Sequence, residues 1–116
     1  MSESTGQSAP FVPVTEKHDL EELFTLSETE PVVLFKHSTT CPISAGAYQQ
    51  MEQMTDKVSL VVVQRSRDLS QEIEERTGIR HESPQAIILR KGQPVWHASH
   101  WKITAEAVER ALRENQ

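Results

Sequence analysis

Cysteine is scarce in this chain: of 116 residues, one, Cys41, carries a thiol. A single cysteine forms no internal disulfide, and a structural zinc site normally takes several cysteines and histidines at short spacings. Long apolar runs are missing as well. The two longest, Pro31 to Phe35 and Leu60 to Val63, have the length of a strand, far short of the roughly 18 apolar residues that a membrane-spanning helix needs. Positive charge is in deficit. Twelve lysines and arginines stand against 17 acidic residues, a net charge of −5, which disfavours a nucleic-acid backbone as partner. The first residues lack the basic start and apolar stretch of an export signal. Residues 1–10 (MSESTGQSAP) read as a disordered tail, leaving 11–116 as one domain. A lone thiol without a leader points to a reducing compartment, the cytoplasm.

What is present is an alternation of strand-like and helix-like segments. Phe11 to Val14, holding Pro13, suits an edge strand. Thr15 is the expected cap of a helix with the stripe Leu20, Leu23, Phe24 and Ser27, ended at Glu30-Pro31. Val32 to Phe35 run without alternation, as a strand covered on both faces does. From Pro42 the period becomes helical, with Ile43, Ala47, Met51 and Met54 on one face. Leu60 to Val63 repeat the buried-strand pattern, and Asp68 is the expected cap of a helix through Leu69 and Ile73 that Gly78 closes. Ala86 to Leu89, a turn over Arg90-Lys91-Gly92-Gln93 and Val95 to Ala98 predict an antiparallel hairpin. Thr104 caps a last helix, with Ile103 stapled onto Val108. The outline is α/β and resembles the thioredoxin order: a central mixed sheet with helices on both faces.

Proline is favoured at the first position of a helix, so Pro42 marks a helix start and makes Cys41 the N-cap. The free N–H groups and the positive dipole end of a helix stabilise an anion, and thiols so placed have pKa values lowered from about 8.5 to roughly 3.5–7.5. Cys41 is therefore the candidate nucleophile of disulfide exchange. The competing reading, an inert buried cysteine, is common for a lone thiol but is disfavoured by the polar neighbours Thr39, Thr40 and Ser44. Ser44, three residues on, makes the motif C-x-x-S; its hydroxyl is expected to donate to the Cys41 sulfur. With no second cysteine, an adduct on Cys41 waits for an outside thiol. His37 is a candidate imidazolium near the sulfur. Lys36, with Arg65 and Arg67, is a candidate cation for an anionic thiol at the ends of the central strands. His97 and His100, three apart at a strand end, face opposite sides and make no metal site. Trp96 and Trp101 read as packing residues.

The run Lys36-His37-Ser38-Thr39-Thr40-Cys41-Pro42-Ile43-Ser44, with Ser83-Pro84-Gln85 later, resembles the monothiol bacilliredoxins of the YtxJ type, whose signature is T-C-P-I-S. The resemblance spans roughly Val12 to Leu112. It implies a thiol–disulfide oxidoreductase that removes bacillithiol from protein mixed disulfides during oxidative stress, Cys41 taking the bacillithiol. S-thiolated proteins and a low-molecular-weight thiol are then the partners, bacillithiol is the cosubstrate, and no cofactor is held. In thioredoxin-like proteins a cis-proline faces the nucleophile, and the backbone before it pairs with the substrate as an added strand; here these are Pro84 and Ser83. Two departures from ordinary thioredoxins stand out: the second cysteine is absent, and Phe35 occupies the place of a buried acid. The residues do not separate bacillithiol from glutathione or coenzyme A. An iron–sulfur carrier sharing a cluster between two chains, and a non-catalytic interaction module, stay open at this point.

Overall fold

The computed structural model describes residues 10–116. The tail expected over 1–10 lies outside them except for Pro10, whose carbonyl accepts a hydrogen bond from Val58 N–H at 3.0 Å and so already belongs to the sheet edge. Strands β1 (Phe11–Pro13), β2 (Val32–His37), β3 (Val58–Val62), β4 (Gln85–Arg90) and β5 (Gln93–Ser99) form one sheet in the order β1-β3-β2-β4-β5. The first three are parallel; β4 runs antiparallel to β2, and β5 to β4. Helices α1 (Lys17–Leu26) and α3 (Arg67–Thr77) cover one face, α2 (Pro42–Glu52) and α4 (Ala105–Glu114) the other. This is the expected mixed sheet between two helical layers.

The unbroken apolar run of β2 follows from its central position. Val32 and Leu34 pack with Leu20, Phe24 and Ile73 under α1 and α3, whereas Val33 and Phe35 pack with Met51 and Val108 under α2 and α4. Side chains alternate between faces, but both faces are dry. The strand continues two residues beyond its apolar run, and Lys36 and His37 are buried with it. Likewise β3 starts earlier than its run of valines suggests, at Val58.

Local hydrogen bonding moves two helix starts. The Asp19 carboxylate accepts from the N–H groups of Thr15 and Glu16 at 3.0 and 3.1 Å, and this capping box makes Glu16, not Thr15, the N-cap of α1. Helix α3 begins after Ser66, so Asp68 lies inside the first turn, beside the positive end of the dipole, instead of capping it. Gly78 closes that helix in the left-handed conformation, φ 73°, as expected. Ser27, expected on an apolar stripe, is buried as a polar anchor. Gly92 N–H donates to its Oγ at 2.9 Å and Lys91 N–H to its carbonyl at 2.6 Å, tying the β4–β5 hairpin to the end of α1. Positive φ at both Lys91 and Gly92 gives the hairpin its two-residue turn. Thr104 caps α4, its hydroxyl accepting from Ala107 N–H at 3.1 Å. No helix among the described residues is long and apolar enough to cross a membrane.

Candidate active site

The chain leaving the central strand β2 makes a short polar loop and enters α2 at Pro42. Cys41 is the N-cap, extended at φ −104° and ψ 122°, and its carbonyl accepts the first helical bond, from Ala45 N–H at 3.0 Å. Its side chain makes no cap hydrogen bond, and the residue is half-buried. The orphan N–H groups of the first turn lie on the loop side of the helix, as the start at Pro42 predicts.

Ser44 does not bond the sulfur. Fully buried, its Oγ accepts from Ser38 N–H at 3.1 Å and braces the loop ahead of Cys41. The expectation failed because the buried Ser38 amide has left the sheet and needs an acceptor. A second brace comes from Gln64, in the turn after β3. Its Oε1 accepts from Thr39 N–H at 3.2 Å, and its Nε2 donates to Ser38 Oγ at 2.7 Å and Thr40 Oγ1 at 3.1 Å. Thr39 and Thr40 thus hold the loop through Gln64. Sequence reasoning missed Gln64; the only signal was a polar residue just past β3, whose end pairs with that of β2 through Val62 and His37.

The Ser83–Pro84 bond is cis. The pairing of Lys36 with Gln85 in the antiparallel β2–β4 ladder sets Pro84 beside the end of β2, on the edge from which the Cys41 loop departs. Pro84 is buried, and its carbonyl accepts from His100 N–H at 3.1 Å. His100 itself has φ 57°, which turns the chain out of β5 into the 3₁₀ turn His100–Lys102 that packs against α2. In that turn Trp101 is 76% exposed, contrary to its reading as a packing residue, whereas Trp96 does pack on the α2/α4 core. His100 Nδ1 lies 3.6 Å from Glu82 Oε1 at the surface.

Two candidates change role. His37 is 9% exposed, its ring 5.8 Å from that of Phe35 and 4.7 Å from that of Tyr48, inside an aromatic stack that Phe11 extends. Burial pushes its pKa below the usual histidine value, against an opposing contribution from the Ser44 backbone, so it is a neutral ring at pH 7 and not an imidazolium. Lys36 is not a surface cation. It shares the sheet face of Val32 and Leu34, is fully buried, and its Nζ has no hydrogen-bond partner among the described residues. Burial pushes its pKa down to about 8, opposed by the charges of Glu74 and Glu82.

Comparison with known proteins agrees with this architecture. The profile of the family described as "Monothiol bacilliredoxin BrxC" matches residues 12–108. A solved structure described as a candidate oxidoreductase with a thioredoxin fold is 33% identical with a TM-score of 0.80, the match covering 87% of this chain and 92% of that one. The thioredoxin of Fasciola hepatica, at 12% identity and a TM-score of 0.70, is covered over 98% of its length and 90% of this chain. That of Trypanosoma brucei brucei, at 19% and 0.68, is covered over 88%, and again 90% of this chain. These two share the fold. The chain belongs to the monothiol bacilliredoxin family, has the thioredoxin fold and is a thiol–disulfide oxidoreductase.

Proposed function

We propose that this monothiol bacilliredoxin removes bacillithiol from protein mixed disulfides through Cys41, in the cytoplasm. The observation that supports the reading is the place of the lone cysteine, a half-buried residue at the N-cap of α2. The Cys41 thiolate attacks the bacillithiol sulfur of the mixed disulfide. The bond to the target sulfur breaks, the target leaves as a thiolate that takes a proton from water, and bacillithiol stays joined to Cys41. One disulfide replaces another, with no net oxidation. Ser44 stands where a dithiol enzyme has its resolving cysteine, so release requires a second small thiol to attack the adduct. Pro42 fixes the helix start under the sulfur, Thr39, Thr40 and Ser44 keep the loop in shape, and Ser83 offers backbone to the target chain as an added strand. The single thiol suits a reducing compartment.

Incubation with a bacillithiol-modified protein tests this. Intact mass is expected to show one bacillithiol on Cys41 and the target released as a free thiol, with both lost in Cys41→Ala. Transfer that persists in Cys41→Ala, or a wild-type protein that gains no adduct, overturns the proposal.

A further inference from the structure

The sheet has a switch point next to Cys41. β2 and β3 are parallel neighbours, yet the chain leaving β2 enters α2 on one face and the chain leaving β3 enters α3 on the other. In open α/β sheets, ligands settle in the crevice beyond the carboxyl ends of strands that diverge in this way. A cavity of about 340 Å³ lies beyond the end of β3, lined by Gln64, Arg67, Ser70, Gln71, Glu74 and His81.

Gln64 joins this cavity to the reactive loop. It stands in the wall, and its amide holds Ser38, Thr39 and Thr40, the three residues before Cys41. The cavity therefore adjoins the loop that carries Cys41.

One polar group in its wall, and two on the adjoining sheet face, lack partners among the described residues. Ser70 Oγ, in the wall and more than nine-tenths buried, has no hydrogen-bond partner among the described residues. The same holds for Lys36 Nζ and Gln85 Oε1, cross-strand neighbours on the sheet face that α1 and α3 cover. Buried polar atoms are rarely left unpaired, because each orphan costs the hydrogen bond it had with water. Charge is divided along the cavity. Glu74 and Lys36 act on each other at the end remote from the α3 N-terminus, while Arg67, an exposed cation at the first position of α3, stands at the positive end of the helix dipole. The cavity wall thus holds an exposed guanidinium, Arg67, beside Gln64, with the unpaired Ser70 hydroxyl buried one helical turn behind it.

We propose that this cavity receives the carboxylate arm of the small thiol exchanged at Cys41, with Arg67 and the Ser70 hydroxyl as its donors. This rests on the thiol-exchange reading above and adds the chemical feature by which the small thiol is chosen. A guanidinium meets a carboxylate through two parallel N–H donors, so an esterified arm loses the pairing while keeping its size.

The test compares the rates at which bacillithiol disulfide and the disulfide of its carboxyl methyl esters form an adduct on Cys41. Wild type is expected to prefer the free acid by about tenfold, the worth of one charge-assisted hydrogen bond. In Arg67→Gln the ratio falls toward one, and Ser70→Ala lowers it in part. Arg110→Gln, which removes the same charge from α4, keeps the wild-type ratio. A wild-type ratio near one, a ratio undiminished in both cavity variants, or one lowered equally by Arg110→Gln overturns the cavity assignment and leaves the role of Cys41 intact. A wild type that reacts with neither disulfide overturns the role of Cys41 itself.

Discussion

Ser38 N–H donates to Ser44 Oγ at 3.1 Å, so the serine of the C-x-x-S motif is spent on the loop in front of the sulfur. Both residues are buried, and Ser44→Ala leaves the Ser38 amide without a partner. An orphaned buried donor costs about 1–3 kcal/mol. Urea unfolding of Ser44→Ala is expected to show a loss of that size, while Cys41 still takes a small-thiol adduct. Unchanged stability together with a lost adduct would mean that the hydroxyl serves the sulfur after all.

Lys36 gives the protein an alkaline stability profile that can be checked. Its pKa falls from 10.5 unfolded to about 8 folded, burial outweighing Glu74 on α3 and Glu82 in the loop before β4, with His81 adding a further titrating neighbour. Between these values the unfolded chain holds more protons, so stability rises with pH. Below pH 8 the buried ammonium costs about 3 kcal/mol, and the cost fades as pH approaches 10.5. Lys36→Met is therefore expected to be more stable than wild type at pH 7, with the gap closing by pH 10.5. A gap constant with pH would show that Lys36 is neutral or solvated throughout.

His37 acts at the other end of the pH scale. Its folded pKa lies below 6.5 because its ring is buried, so on acidification the unfolded chain takes the proton first and stability falls as pH drops below 6.5. His37→Phe keeps the contacts with Phe35 and Tyr48 and removes the titrating nitrogen. The variant should lose the part of the acid sensitivity that wild type shows just below pH 6.5. Identical acid profiles would place the sensitivity elsewhere, for instance at His81, whose pKa burial also lowers.

The order of elements was legible because each strand and helix wrote its own period: Val32 to Phe35 as a doubly covered strand, Ile43, Ala47 and Met51 as a stripe, Pro42 as a helix start. The position of Cys41 followed from its neighbour alone. What the sequence hid is what distant segments supply. Lys36 reads as a surface cation until α3 is laid over that face of β2, and Gln64 reads as an ordinary turn residue until β2 and β3 end side by side. Thr15 and Asp68 were misplaced as caps because the choice depends on which carboxylate and amide meet, a matter of single hydrogen bonds that periodicity does not record.

Gln64 is the residue on which the shape of the reactive loop depends most. It satisfies the Thr39 amide and both hydroxyls that flank it, from an element on the other side of the switch point. Gln64→Leu keeps the bulk and removes all three bonds. Because Gln64 is exposed and outside the core, the fold is expected to persist with little change in overall stability, whereas the Thr39 amide should exchange with solvent about tenfold faster, the equivalent of one lost hydrogen bond. Adduct formation at Cys41 should slow several-fold, since the sulfur is then presented by a loop that samples more conformations. Hydrogen exchange read by NMR and adduct rates read by mass spectrometry measure the two effects on the same variant. A Thr39 amide that stays protected in Gln64→Leu would show that Ser44 alone holds the loop, and that Gln64 belongs only to the cavity wall.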